Sequence, residues 1–219
     1  MLLESLRQEI VTLGNELTRQ GLAHDGQGNL SVIDRKQGLV AITPSAVRYA
    51  KRRAEDICVV DLDGDLIEGH WKPTSEMTLH LVFYNRREKV SAVVHTHAPY
   101  SSVFSILDQP SMPMVLSEAA MALGGALPVA PYRRPGTQEL ADTTEQAYGP
   151  AAGVIMAHHG LVTTGSNLHL AHQATLAAEF TARALIMARS MGASVNELDE
   201  AEVAELRRIY LDGYTSAQR

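Results

Sequence analysis

Apolar residues along this chain alternate between helical spacing and short strand-like runs. Leu6, Ile10, Leu13 and Leu17 recur at helical intervals and predict an amphipathic helix over residues 4–20, stopped by Gly21. After the turn-rich Asp25-Gly26-Gln27-Gly28-Asn29, apolar runs at 30–33 and 39–42 flank Arg35-Lys36-Gln37-Gly38 and predict a strand pair. A second pair, 57–62 and 66–67, brackets Asp63-Gly64-Asp65, and Asp-Gly is a strong hairpin signal. Residues 74–84 set Met77, Leu81 and Phe83 among polar positions and predict a helix capped by Thr74 or Ser75. Further strands are expected at 90–94, 127–130, 153–157 and 161–164. Helices are expected at 101–107, 137–148, 168–191 and 200–211. No linker, repeat or low-complexity stretch interrupts this order, so residues 1–219 read as a single α/β domain with a mixed or antiparallel sheet covered by helices.

Composition narrows the partners. The net charge of -6 leaves no basic stripe to neutralise phosphates, which argues against nucleic acid. Arg52-Arg53 and Arg133-Arg134 are isolated pairs that default to a solvated face, although the second could meet an anionic substrate. Cys58, the single cysteine, excludes an intramolecular disulfide and suits a reducing cytoplasm. Its neighbours Ile57, Val59 and Val60 make it a buried structural thiol. The first residues lack a signal-peptide pattern, and no run approaches the roughly 18 apolar residues that span a bilayer. A cytoplasmic protein without a membrane partner is the expectation.

The chemistry concentrates in histidines. His95-Thr96-His97 ends an apolar run, and on a strand residues i and i+2 share a face, so both imidazoles can close on one ion. His158-His159-Gly160 ends another such run, and Pro73-Thr74-Ser75-Glu76 offers a carboxylate. A lone histidine is ordinarily a surface or hydrogen-bonded core residue. Three imidazoles and a carboxylate, however, form a set suited to zinc or a similar divalent ion. His24, His70, His169 and His172 read as surface or packing residues, as do Trp71 and Tyr84 as core or interface aromatics; His80, one turn after Glu76, could stand near the metal.

Gly28-Asn29-Leu30-Ser31, Thr43-Pro44-Ser45, Pro73-Thr74-Ser75-Glu76, His95-Thr96-His97 and His159-Gly160, in this order and spacing, resemble the class II aldolase family, which includes L-fuculose-1-phosphate aldolases and L-ribulose-5-phosphate 4-epimerases. The resemblance covers nearly the whole chain. It implies a three-layer α/β/α sandwich around a largely antiparallel sheet, and a homotetramer with active sites between subunits. It also implies a Zn2+ ion (or Mn2+ or Co2+) held by His95, His97 and His159. The family ligand directly precedes a glycine, which selects His159. Neighbouring strand residues point oppositely, so His158 is then structural. Glu76 matches the family glutamate that ligates the resting metal and moves the proton once substrate arrives. Gly28, Asn29, Thr43, Ser45, Thr74 and Ser75 match positions around a substrate phosphate, where loops and a helix N-terminus present free donors.

Two departures stand out. The family has glycine after Thr43-Pro44-Ser45, where this chain has Ala46. The aldolase tyrosine expected within residues 115–120 is missing, as is the epimerase aspartate, leaving Glu118 as the strong acid–base group there. A C-terminal family tyrosine matches Tyr214 or, one turn earlier, Tyr210. The function implied is aldol cleavage of a phosphorylated ketose to dihydroxyacetone phosphate and an aldehyde through a metal-stabilised enediolate. Pro131-Tyr132-Arg133-Arg134-Pro135-Gly136 resembles family members that decarboxylate 3-oxo-tetronate 4-phosphates, an alternative on the same metal site. Sugar-phosphate epimerisation and a non-catalytic binding module are the remaining readings, and the intact ligand set weighs against the module.

Overall fold

The computed structural model describes every residue except Asp25, Ala46, Gln218 and Arg219, and omits the side chains of residues 214–217. Nine strands form one sheet in the order β4-β3-β2-β1-β5-β9-β8-β7-β6. At its centre lie β1 (Asn29–Asp34), β5 (Ala92–Thr96) and β9 (Gly160–Gly165). All pairings are antiparallel except that of β7 (Leu127–Ala130) with β8 (Gly153–Met156), so the sheet is mixed. β2 (Leu39–Ile42) and β3 (Cys58–Asp61) continue to β4 (Leu66–Glu68), with Gly64 at φ +93 in the Asp-Gly turn, as the turn residues predict. Every residue of β5 is buried, because helices cover both of its faces; that is why it reads as an unbroken apolar run.

The alternation of side chains splits the core. Leu30, Val32, Ala92 and Val94 pack with Ile10, Leu13 and Leu17 of α1 (Glu4–Arg19) and with Leu168 and Ala171 of α6 (Leu168–Ser190). Ile33, Val93 and Val162 turn the other way. They meet Leu79, Val82 and Phe83 of α2 (Met77–Arg86) and Leu140 and Ala141 of α5 (Gln138–Ala147). Each fully buried side chain of this size contributes about 1.5–3 kcal/mol relative to exposure. A third cluster joins α6 to α3 (Pro99–Phe104), α4 (Ser117–Leu123) and α7 (Glu200–Ala217).

Several elements differ from the sequence expectation. α2 begins at Met77 instead of residue 74, and neither Thr74 nor Ser75 caps it. The preceding loop is held elsewhere: Thr74 N–H donates to the Thr43 carbonyl at 3.0 Å, and Pro44 bridges Pro73. β5 ends two residues later than expected, and α3 starts at Pro99, a residue well suited to the first helical position. β6 (Ser111–Met112) and α4 have no counterpart in the prediction. Two and seven residues are too short to show a period, and α4 gains its support from packing on α6 and α7.

Candidate metal centre

The site lies where β1, β5 and β9 meet. Asn29 pairs with His95 across β1 and β5, and His95 pairs with Val162 on β9. His97 follows the last residue of β5, before α3. His158 and His159 occupy the turn between β8 and β9, not a strand. His158 is left-handed at φ 56, with its N–H on the Ser105 carbonyl at 2.9 Å. Strand alternation therefore does not separate the two; the left-handed turn does, and it is His159 that joins His95 and His97.

Ring centroids within this triad are 4.8–5.1 Å apart, and the candidate ligand nitrogens all lie within 4.8 Å of one another. His95 Nδ1–H donates to the Leu161 carbonyl at 3.0 Å, which turns the Nε2 lone pair inward. That Nε2 is 3.1 Å from His97 Nε2 and 3.3 Å from Glu76 Oε2, while Glu76 Oε1 is 3.3 Å from His159 Nε2. Burial pushes both His97 and His159 down to about 4, so they are neutral imidazoles near pH 7. The centre is thus a set of electron-pair donors facing one another. A tetrahedral zinc shell with Zn–N distances of about 2.0–2.1 Å spaces its donors roughly 3.3 Å apart, and the observed spacings fit a cation of that size.

Two glycines make the approach possible. A Cβ on Gly160 would lie 2.6 Å from the Thr96 carbonyl oxygen and 3.0 Å from His97 Cδ2. Gly28, at φ +77, would meet the His95 carbonyl oxygen at 2.6 Å. The glycine after His159 is therefore required by the ligands themselves, and Gly28 by the backbone beneath them.

Glu76 stands at the N-cap position of α2, yet its carboxylate makes no cap bond and faces the histidines. Asn29 Nδ2–H donates to Glu76 Oε2 at 2.9 Å, and the Asn29 carbonyl accepts from His80, so one N–H remains for any phosphate. Thr43 is wholly buried and its hydroxyl accepts the Leu30 N–H at 3.2 Å; it anchors the loop and does not line the opening. Ser45 spends its N–H on the Lys72 carbonyl and its hydroxyl on Pro73, and Thr74 Oγ1 accepts the Glu76 N–H at 3.3 Å. Ser75 is exposed beside Glu76.

Glu118 is exposed on the first turn of α4, and among the described residues no hydrogen bond or ion pair joins it to the triad. The side chain of Tyr214 lies outside the described residues, as does Ala46. Cys58 is buried, and burial pushes its thiol up to about 11, as suits an inert packing residue. Trp71 is 42 % exposed, whereas Tyr84 is buried. Ser31 and Tyr84 are not expected from the sequence as part of the site, and His80, expected only near the metal, reaches it through Asn29. Their signal was present: Glu76, His80 and Tyr84 recur at i, i+4 and i+8, facing Asn29 and Ser31 at i and i+2, two polar stripes on buried elements.

No helix is long and apolar enough to cross a membrane among the described residues. Residues 8–186 match the family model described as Class II Aldolase and Adducin N-terminal domain. The chain is 37% identical over 214 residues to a 5-deoxy-D-ribulose 1-phosphate aldolase of Bacillus thuringiensis serovar kurstaki, covering 98% of this chain and 99% of that one. Among solved structures, an L-fuculose 1-phosphate aldolase superposes with a TM-score of 0.88 at 30% identity, covering 94% of this chain and 96% of that one. YgbL of Klebsiella pneumoniae, a putative aldolase/epimerase/decarboxylase, gives 0.84 at 32%, covering 94% and 100%. With the family matched over most of its length and the donor set in place, this chain belongs to the class II aldolases and is a lyase of the aldolase type.

Proposed function

We propose that the protein cleaves a ketose 1-phosphate reversibly into dihydroxyacetone phosphate and a short aldehyde. The observation that carries this reading is the convergence of His95, His97 and His159 on the Glu76 carboxylate. A divalent ion held by the three imidazoles would polarise the substrate carbonyl and offset the charge of the enediolate left by C–C scission. Glu76, which faces the three imidazoles, carries the proton to and from the carbon of that fragment. In the net reaction the hydroxyl proton on the aldehyde side ends on the dihydroxyacetone phosphate carbon, so nothing else is consumed. Ser75, with the free N–H of Asn29 and the neighbouring Ser45 and Thr74, supports a phosphate subsite. The named relatives act on 5-deoxy-D-ribulose and L-fuculose 1-phosphates, which favours a deoxyketose.

The two helix-covered faces of the sheet support an α/β/α layering of one domain over residues 1–219. Homotetramer assembly, with Tyr214 of a neighbouring subunit as proton donor, and a cytoplasmic setting complete the reading. Glu118 is the local alternative for the donor.

Decarboxylation of a 3-oxo-tetronate 4-phosphate is the second reading. The loop over residues 131–136 favours it: a Cβ on Gly136 would lie 3.2 Å from the Ser75 carbonyl, and Tyr132 packs edge-on against His158. That brings the exposed Arg133 and Arg134 towards the site's mouth. Zinc-loaded protein should be assayed with ketose 1-phosphates and with 3-oxo acid phosphates, detecting aldehyde and carbon dioxide separately. Zinc-dependent aldehyde release supports the first reading; carbon dioxide alone transfers it to the second.

A further inference from the structure

Behind Glu76 runs a chain of buried polar side chains, of which only Asn29 has a donor left for substrate. Tyr84 OH and His80 Nδ1 each lie 2.6 Å from Ser31 Oγ, His80 Nε2 bonds Asn29 Oδ1, and Asn29 Nδ2 bonds Glu76 Oε2 at 2.9 Å. Ser31 and His80 are 0 % exposed, Tyr84 2 % and Asn29 5 %. No solvent competes for these bonds.

The inventory of donors gives the chain a single direction. A carboxylate only accepts, so Asn29 turns its NH2 to Glu76 and its carbonyl to His80. A carbonyl also only accepts, so His80 carries its proton on Nε2. A neutral imidazole then accepts at Nδ1, Ser31 donates there, and the serine oxygen accepts from Tyr84. Burial holds His80 down to about 3, in keeping with the neutral ring. Each link points its donor at the next, which strengthens the series. At its end, Glu76 Oε2 is clamped, whereas Oε1 accepts no hydrogen bond and faces His159.

We propose that His80 is a positioning residue: neutral and protonated on Nε2, it locks Asn29, Asn29 clamps Glu76 Oε2, and Oε1 is thereby the oxygen that exchanges the proton. This rests on the reading of Glu76 as proton carrier. In the half-reaction with dihydroxyacetone phosphate, the C3–H bond breaks, the proton joins Oε1, and the electron pair stays on the fragment as an enediolate. The reverse step returns the proton. Asn29 accordingly serves Glu76 first and a phosphate second.

The test combines spectroscopy with kinetics on zinc-loaded protein. Histidine-15N NMR, with His80 assigned by its loss in His80→Phe, should show a neutral Nε2–H ring from pH 5 to 8. Deuterium exchange into dihydroxyacetone phosphate should fall in kcat by about ten- to hundred-fold in His80→Phe, the scale set by roughly 1 Å of misplacement. KM and zinc content should stay within about two-fold. His80→Gln, whose amide can still donate to Asn29, should recover most of the loss, and Tyr84→Phe, which removes only the far hydroxyl, should lose a few-fold. An Nδ1–H or charged ring overturns the proposal. So does exchange at the wild-type rate in His80→Phe, or an equal loss in His80→Phe and His80→Gln that follows their melting temperatures. Wild-type protein with no zinc-dependent exchange or cleavage would defeat the functional reading instead, and the ring tautomer would still decide whether the chain exists.

Discussion

Gly160 lies so close to Thr96 that a methyl group on it would stand 2.6 Å from the Thr96 carbonyl oxygen, with His97 Cδ2 3.0 Å away. The ligand triad is therefore closed over a backbone that tolerates no side chain there. Gly160→Ala should separate β9 from the end of β5, destabilise the protein by roughly 1–3 kcal/mol, and weaken zinc binding. Thermal melts with and without zinc check both parts; an unchanged zinc affinity would show that the strand end moves independently of His97.

His95→Ala, His97→Ala and His159→Ala should each empty the metal site, whereas His158→Ala should keep it. His158 instead occupies a left-handed turn position, so His158→Gly should relieve backbone strain, of order 1 kcal/mol or more. Metal analysis of the purified variants decides the ligand set: zinc lost from His158→Ala but retained by His159→Ala would reverse the assignment.

Glu76→Gln should retain appreciable zinc, since three imidazoles remain, and lose about 10²–10⁴-fold in turnover. Near-native turnover in this variant would move proton transfer to another group.

Ser75→Ala should weaken a phosphorylated substrate about ten-fold or more, the effect of losing one hydrogen bond to a charged group worth roughly 1.5–3 kcal/mol. An unphosphorylated analogue should be indifferent. Thr43→Val should behave differently, lowering stability through the buried Leu30 contact before it touches KM. Equal losses for both compounds in Ser75→Ala would mean that this serine supports the fold.

Metal-free protein should lose stability as pH falls from neutrality towards about 4. His97 and His159 lie near 4 in the fold, against about 6.5 in an unfolded chain. Between those values the unfolded state binds more protons, so stability rises with pH through this window and levels off above it. Protons also compete with zinc for the same nitrogens. Melting temperatures of stripped protein between pH 7.5 and 4 measure the slope; a flat profile would mean that the two rings are exposed to solvent.

Residue types and short-range spacing carried much of this protein in plain view. The helix over residues 4–20, the Asp-Gly hairpin, the long alanine-rich helix and the ligand candidates Glu76, His95, His97 and the His158-His159 pair were all legible. Each depends on local periodicity, turn chemistry or the chemistry of a single side chain. What stayed hidden depends on partners far apart in the chain. The bonds from Asn29 to Glu76, His80 to Asn29, and Ser31 to His80 and Tyr84 span 47 to 53 residues. No local pattern states which atoms will meet across such a distance, so Asn29 read as a phosphate donor and His80 as a residue merely near the metal. The same reason covers the turn conformation of His158 and the parallel pairing of β7 with β8. Folding alone chose which oxygen of Glu76 is held and which is free, because that choice is made by packing β1 against α2.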